Sequence, residues 1–349
     1  DPTAEWQTLG HAPMYDVLLP RGFSLLRIEK EGYEEALRVI GTMPISGGPV
    51  TLGAEEDISG IEYQIPAFDV LLDANVAAGI NEVRVPGTQL YLGAGTVTLA
   101  DFHIGRFEVT NRDYKAFVDA GGYRQQEYWE HEFIRDGETL DWEDAVSGFV
   151  DTTGRPGPST WVGGTFPAGQ EDYPVGGISW YEAMAFARFA GRELPTVHHW
   201  RRAHAPAAVT WQILQSNVES DSPVPVGQYD GKSWTGTSDM LGNVREWTSS
   251  AVGDKRAIVG GAWDDRAYSV PETIYIPHAL PPLDRSPQNG LRLASLKDER
   301  AEKAALERAI EPDNPIEAPA SMSDEAFAVL LRYFEQSPAP LNATLDNTE

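Results

Sequence analysis

At 349 residues the chain is long enough for two or three domains, and 41% apolar residues with ten Trp, thirteen Tyr and twelve Phe mark it as folded. Fifty-three acidic against 27 basic residues leave a net charge of −26, which repels nucleic acid and anionic lipid. With no cysteine, disulfides, thiolate metal sites and cysteine nucleophiles are excluded, and no apolar run is long enough to span a membrane.

The chain opens on Asp1 with neither an initiating Met nor a signal-peptide pattern, so a processed chain or a part of a longer one is expected. Residues 1–80 read as a small β-domain of sandwich-like character. Tyr15 to Leu19 stops at the turn Pro20-Arg21-Gly22, Phe23 to Lys30 runs on as a second strand, and Phe68 to Leu72 supplies a later one. Glu82 to Gly87 and Leu90 to Gly93 are expected to pair and to open the main domain, residues 81–295. Thr110 caps a helix whose Tyr114, Phe117 and Val118 recur at i, i+3 and i+4, and Gly121-Gly122 ends it.

Residues 122–172 read as loop, with Trp129, Trp142 and Trp161 among acids, glycines and prolines. So long an insertion shapes a surface or a ligand site, and its Trp rings are expected to pack against the domain. Ser179-Trp180-Tyr181-Glu182 is a capping box opening a helix with Ala183, Phe186, Ala187 and Ala190 inward, stopped by Gly191. Thr196 caps a third helix with Trp200 and Ala203 inward. Its His198, His199 and His204 lack metal-ligand spacing, because adjacent positions diverge by about 100° and His204 falls between the faces His199 can share.

Asp239-Met240-Leu241-Gly242-Asn243-Val244-Arg245-Glu246-Trp247 gathers two carboxylates, a turn glycine and a large aromatic. Curled about Gly242, it can aim both carboxylates and the carbonyls of Gly242 and Val244 at a hard cation such as Ca²⁺, which takes about six to eight oxygens. The alternative is a hairpin turn with a solvated Asp and Glu and a core Trp. Residues 296–349 change character: a charged helical stretch from Lys297 to Glu311, a Pro-rich linker, and a short helix capped by Ser323 with Phe327, Leu330, Leu331 and Phe334 on one face. That face must dock on the main domain, on another chain or on a following domain.

The segment from Asp239 to Trp247 stands in a set. Phe102 to Asn111, Leu194-Pro195-Thr196 and Trp200 come before it, and Gly260-Gly261-Ala262-Trp263 and Asn289-Gly290-Leu291-Arg292 come after. Over residues 82–295 this set resembles the formylglycine-generating, sulfatase-modifying family. The resemblance implies an α+β, C-type-lectin-like fold, here with an N-terminal β-sandwich-like module and a short helical C-terminal extension. It also implies calcium ligation by Asp239, Gly242, Val244 and Glu246, with Asn217 opening a second candidate loop.

Leu19-Pro20-Arg21-Gly22-Phe23 and Arg27 to Tyr33 are similar to the β-domain linking some bacterial membrane-bound kinases to such a module, which implies adjoining domains and an extracytoplasmic setting. Copper-dependent members of the family work through a thiolate pair, and related iron-dependent sulfoxide synthases through an H-x-x-x-H-x-E run. The chain has neither, so no copper, no iron and no catalytic residue are expected.

On such a scaffold the last third of the domain is the recognition face. Its candidate ligand residues here are Trp263, Asp264, Asp265, Arg266, Tyr275, His278 and Arg285, with aromatic area for contact and charged groups for orientation. The competing reading is an ordinary loop with Trp263 and Tyr275 in the core; Arg292 is assigned to structure. The expected function is non-catalytic recognition of a peptide, protein or glycan on a calcium-supported scaffold. The alternatives are an oxidoreductase of the family with other chemistry and a retroelement-diversified variable or structural surface protein.

Overall fold

The computed structural model describes residues 6–41 apart from 16, 18 and 20–22, then 68–74, and 81–307 apart from 93–95, 136, 205–208, 271–276 and 299. All belong to one compact unit, Asp1–Ala309, and the expected helix carrying Phe327 to Phe334 lies outside the described residues.

Near the N-terminus, β1 (Phe23–Ile28) and β2 (Ala36–Gly41) form an antiparallel hairpin. Residues 68–72 form no strand, and Phe68 and Leu71 are exposed; pairing begins only just beyond them, in an isolated bridge between Tyr33 and Ala74. Most of the remainder of the expected sandwich, 42–67 and 75–80, lies outside the described residues. The hairpin is tied to the body: the Val39 N–H donates to the Trp234 carbonyl (3.2 Å) and Arg38 to that of Thr235 (3.3 Å). Asp73 accepts from Arg84 and contacts His103 Nε2, each at 2.8 Å.

β3 (Glu82–Val85) and β4 (Thr88–Tyr91) do not pair with each other, as the sequence led us to expect. β4 pairs with β5 (Thr96–Leu99), and β3 with β6 (Phe102–Gly105), which buries Val83 and Val85 with Phe102 and Ile104. The carboxylate of Asp101 fixes the crossing by accepting from the Gly87 N–H (2.9 Å). α1 (Asn111–Asp119) starts at the Thr110–Asp113 capping box and buries Tyr114 and Phe117.

The long insertion is more ordered than its composition suggested. It holds two 3₁₀ turns (Gly122–Arg124 and Gln126–Tyr128), the hairpin β7 (Phe133–Arg135) and β8 (Glu138–Leu140), and α2 (Trp142–Ser147). Each is too short to show a period, and what orders them is aromatic packing. Trp129 stacks on Phe149 at 5.6 Å, and Trp161 is buried against Tyr114.

α3 (Trp180–Phe189) opens on the Ser179–Glu182 capping box, and α4 (Val197–His204) on Thr196, whose Oγ1 accepts from the His199 N–H. α5 (Val209–Ile213) follows. β9 (Arg245–Val252), β10 (Lys255–Val259), β11 (His278–Leu280) and β12 (Asn289–Leu291) form the central sheet in the order β11-β10-β9-β12, with β12 parallel to β9. β13 (Ala294–Ser295) completes the sheet β13-β6-β3.

Two cores result, one around Tyr114, Trp161, Trp180, Phe186 and Trp247, the other around Phe102, Ile104, Trp200, Met240 and Leu306. Each fully buried large side chain contributes roughly 1.5–3 kcal/mol. The histidines of α4 serve packing: His204 stacks on Trp200, and His199 Nε2 meets Asp298 at 2.8 Å. From there α6 (Arg300–Leu306) runs back onto the body, with Leu306 buried and the Ala251 N–H donating to the Glu307 carbonyl.

Candidate functional site: a cleft beside Trp263

The turn from Asp239 to Val244 is built on positive φ at Asp239 (56°), Gly242 (79°) and Asn243 (57°). Gly242 is required by close approach as well, since a Cβ there would lie 2.3 Å from the Asn217 carbonyl oxygen. Glu108, buried, holds the turn: its carboxylate accepts from the Val244 N–H (3.0 Å) and from Asn243 Nδ2 (2.7 Å). The Asn243 carbonyl in turn accepts from the Trp263 N–H (2.9 Å), and the Trp263 carbonyl accepts from Ser220 (2.7 Å). A buried acid thus fixes the backbone of an aromatic residue that is itself only half-buried.

Trp263 and Val244 line a cleft of about 250 Å³, closed opposite by Trp161, Gln170 and Tyr173 from the insertion and by Ser222. Four prolines, Pro167, Pro174, Pro223 and Pro287, stiffen the rim, and no carboxylate, amine, guanidinium or imidazole lines it. The walls offer flat rings and neutral donors and acceptors. This suits an uncharged group the size of one side chain or one sugar ring.

The expected recognition face does not converge on this cleft. Trp263 lines it. Asp264, exposed, accepts from Gln288 (2.6 Å), whereas Asp265 is paired with Arg245 (2.6 Å) and accepts from the Ala262 N–H, which fixes the loop. Arg266 is 73% exposed and only loosely faces Glu219 at 3.9 Å. His278 is exposed at the start of β11, and Tyr275 lies outside the described residues.

Arg285 is a clamp and not a ligand residue: it pairs with buried Glu182 (2.8 Å) and donates to the carbonyls of Val150 (2.9 Å) and Gly157 (2.6 Å). Sequence reasoning missed Gln170, Tyr173 and Ser222, which come from two irregular stretches with no period to mark them; Trp161 was assigned to packing alone.

The side chains expected to ligate calcium have partners within the protein. Glu246, fully buried, receives Arg292 on both oxygens (2.7–3.1 Å) and the Trp200 indole N–H at 2.7 Å. Asp239 accepts from the Gly227 N–H (2.5 Å). Asn217, the start of the second expected loop, bonds to Ser220, Ser222 and Asn243. A hard cation takes about six to eight oxygens. Among the described residues no three His, Cys, Asp or Glu side chains are placed to share a metal ion.

Three buried carboxylates around one guanidinium are electrostatically costly. Burial pushes Asp239 up to about 6 from 3.8, and it raises Glu108 well above the ordinary range, with Asp239 and Glu246 adding to the rise. Burial works against the charge of Arg292, yet Glu246 outweighs it and holds that group above its usual value. Asp239 therefore keeps its proton in the fold between pH 3.8 and about 6 while the unfolded chain has lost it. Its contribution to stability is present below that window and lost as pH rises through it, about 3 kcal/mol over the range. Asp239→Asn is expected to be more stable than wild type at pH 7 in urea melts, with the gap closing towards pH 4. A gap independent of pH would contradict this.

Comparison with known proteins agrees with the motif set. The family model for the Sulfatase-modifying factor enzyme 1-like domain matches residues 33–296. Hercynine oxygenase of Mycolicibacterium thermoresistibile is 31% identical over 220 residues, 49% of this chain and 46% of that protein. Inactive C-alpha-formylglycine-generating enzyme 2 of Bos taurus is 27% identical over 241 residues, 54% of this chain and 78% of that protein. Serine/threonine-protein kinase pkn1 of Chlamydia caviae is 26% identical over 165 residues, 45% of this chain and 24% of that protein. The chain thus spans about half the length of the first of these relatives and far less of the kinase. With more than half of its length matched in one continuous stretch, the chain belongs to the sulfatase-modifying factor family, with that family's α+β, C-type-lectin-like fold.

Proposed function

We propose that this chain is a non-catalytic recognition module, part of a larger protein, that holds an uncharged segment of a peptide, protein or glycan ligand in the cleft beside Trp263. The observation that carries the reading is the lining: three aromatic rings, four prolines and neutral polar groups, with no carboxylate, amine, guanidinium, imidazole or thiolate among the lining residues. General acid–base or nucleophilic work is carried most often by a His, a carboxylate or an activated nucleophile beside such a base, and the lining holds no such base. A much longer relative named as a kinase, and a relative named as an inactive enzyme, support a non-catalytic module serving another domain.

The test is binding. Against the ligand that an array of peptides and neutral oligosaccharides selects, Trp263→Ala is expected to weaken affinity by about 2 kcal/mol or more, as truncation of an aromatic anchor does. Its melting temperature is expected to change little, because the ring is half exposed. Equal affinity in wild type and variant would overturn the reading. Incubation with copper, oxygen and a cysteine-containing sulfatase peptide is expected to give no aldehyde by mass spectrometry; its appearance would sink the non-catalytic half.

A further inference from the structure

A second pocket, sharing no lining residue with the cleft, opens between the end of α1 and the loop 151–164, with a volume of about 360 Å³. Its walls are Val118, Gly121, Tyr123 and Arg124 on one side and Arg155, Pro156 and Gly164 on the other. In a chain of net charge −26, this pocket has two guanidiniums and no carboxylate in its lining. The Arg124 guanidinium has no hydrogen bond or ion pair among the described residues. Arg155 spends one nitrogen on the Gly163 carbonyl (2.8 Å), which steadies the side chain and leaves the rest of its fork to the pocket.

Both walls are held rigidly. Asp151 accepts from the N–H groups of Thr153, Arg155 and Gly164 and from the Thr153 hydroxyl, at 2.6–3.0 Å, and these bonds fix the rim that presents Arg155. On the other side the buried Tyr123 hydroxyl donates to Glu182 (2.7 Å), and the Trp129 indole donates to the Gly122 carbonyl (3.0 Å). The 3₁₀ turn carrying Arg124 is therefore anchored at two points. A steadied Arg155 loses less side-chain entropy on binding than a free one, and planar guanidinium forks match an oxyanion bidentately.

We propose that this pocket binds a small organic oxyanion. A carboxylate, phosphate or sulfate group lies between Arg124 and Arg155, and an apolar body rests on Val118, the Tyr123 ring and Pro156. The space is at the lower end of ordinary ligand pockets, roughly 300–1,000 Å³, so the ligand is a single-ring compound or a short-chain acid. A pairing that is half open to water weakens with added salt.

The experiment is calorimetric titration of the full chain with phenyl phosphate and with benzoate, at low and high salt. Wild type is expected to bind one equivalent of at least one probe, more weakly at high salt. Arg124→Gln and Arg155→Gln are each expected to lose about tenfold in affinity or more, as befits removal of a charge-assisted fork. Arg155→Lys, which keeps the charge but not the fork, is expected to fall between. Both arginines are exposed, and near-ultraviolet circular dichroism reports that each variant is folded. Trp263→Ala is expected to leave this binding untouched, so failure here and failure of the cleft reading are separable. Absence of saturable binding of either probe in the millimolar range, or unchanged affinity in both glutamine variants, would overturn the proposal. Inorganic phosphate is expected to bind more weakly than phenyl phosphate; equal affinity would overturn the role given to the apolar wall.

Discussion

Replacing Arg292 with methionine is expected to destabilise the fold by about 3–5 kcal/mol, the cost of leaving a buried carboxylate without its partner. The guanidinium is fully buried and donates to Glu246 on both oxygens, to the Gly105 carbonyl (2.9 Å) and to the Ser238 carbonyl (2.8 Å). It joins the closing motif, the end of β6 and the turn before Asp239 at a single point. Methionine fills similar volume, so the loss is electrostatic and not a cavity. Against a typical domain stability of about 5–15 kcal/mol, the variant stands near unfolding. Urea denaturation of Arg292→Met alone and with Glu246→Gln checks it: the second change is expected to recover part of the loss, because the stranded charge is gone. A single variant within about 1 kcal/mol of wild type would show that the pair is not what holds these elements together.

Three helices, α1, α3 and α4, were legible because each carries its own start signal. Thr110 with Asp113, Ser179 with Glu182, and Thr196 each accept a backbone N–H where the side-chain oxygen predicted it. The assignment of Arg292 to structure follows the same local logic and agrees with its pairing to Glu246. Strand partnership was not legible. β3 and β4 are adjacent in sequence, yet each finds its partner across a turn, because burial of Val83 and Val85 against Phe102 and Ile104 decides pairing and adjacency does not. The partner of Glu246 was not legible for a related reason. The spacing of Asp239 and Glu246 is compatible with one centre, but Arg292, 46 residues further on, occupies Glu246 first. The Trp263 cleft was half legible: the aromatic was marked by its motif, while Tyr173 and Ser222 reach it only through the folding of irregular chain.

Arg285→Ala is expected to cost about 3 kcal/mol or more, where a ligand-contacting residue would have cost almost nothing. Glu182, on the first turn of α3, is fully buried and receives Arg285 (2.8 and 3.0 Å), the Tyr123 hydroxyl (2.7 Å) and the Ser179 N–H (2.8 Å). Without the guanidinium, that carboxylate keeps two neutral donors and no countercharge. The carbonyls of Val150 and Gly157 lose their donor at the same time, so the loss is felt in the insertion as well as at the helix. Hydrogen exchange is therefore expected to speed up across residues 148–157 and at the start of α3 before it does so in β9 and β10. Glu182→Gln in the Arg285→Ala background is expected to restore stability in part, since a neutral amide tolerates the site better than a stranded charge. If Arg285→Ala instead melted with wild type and exchanged at the same rate through the insertion, the clamp would be refuted and the residue would return to the recognition face.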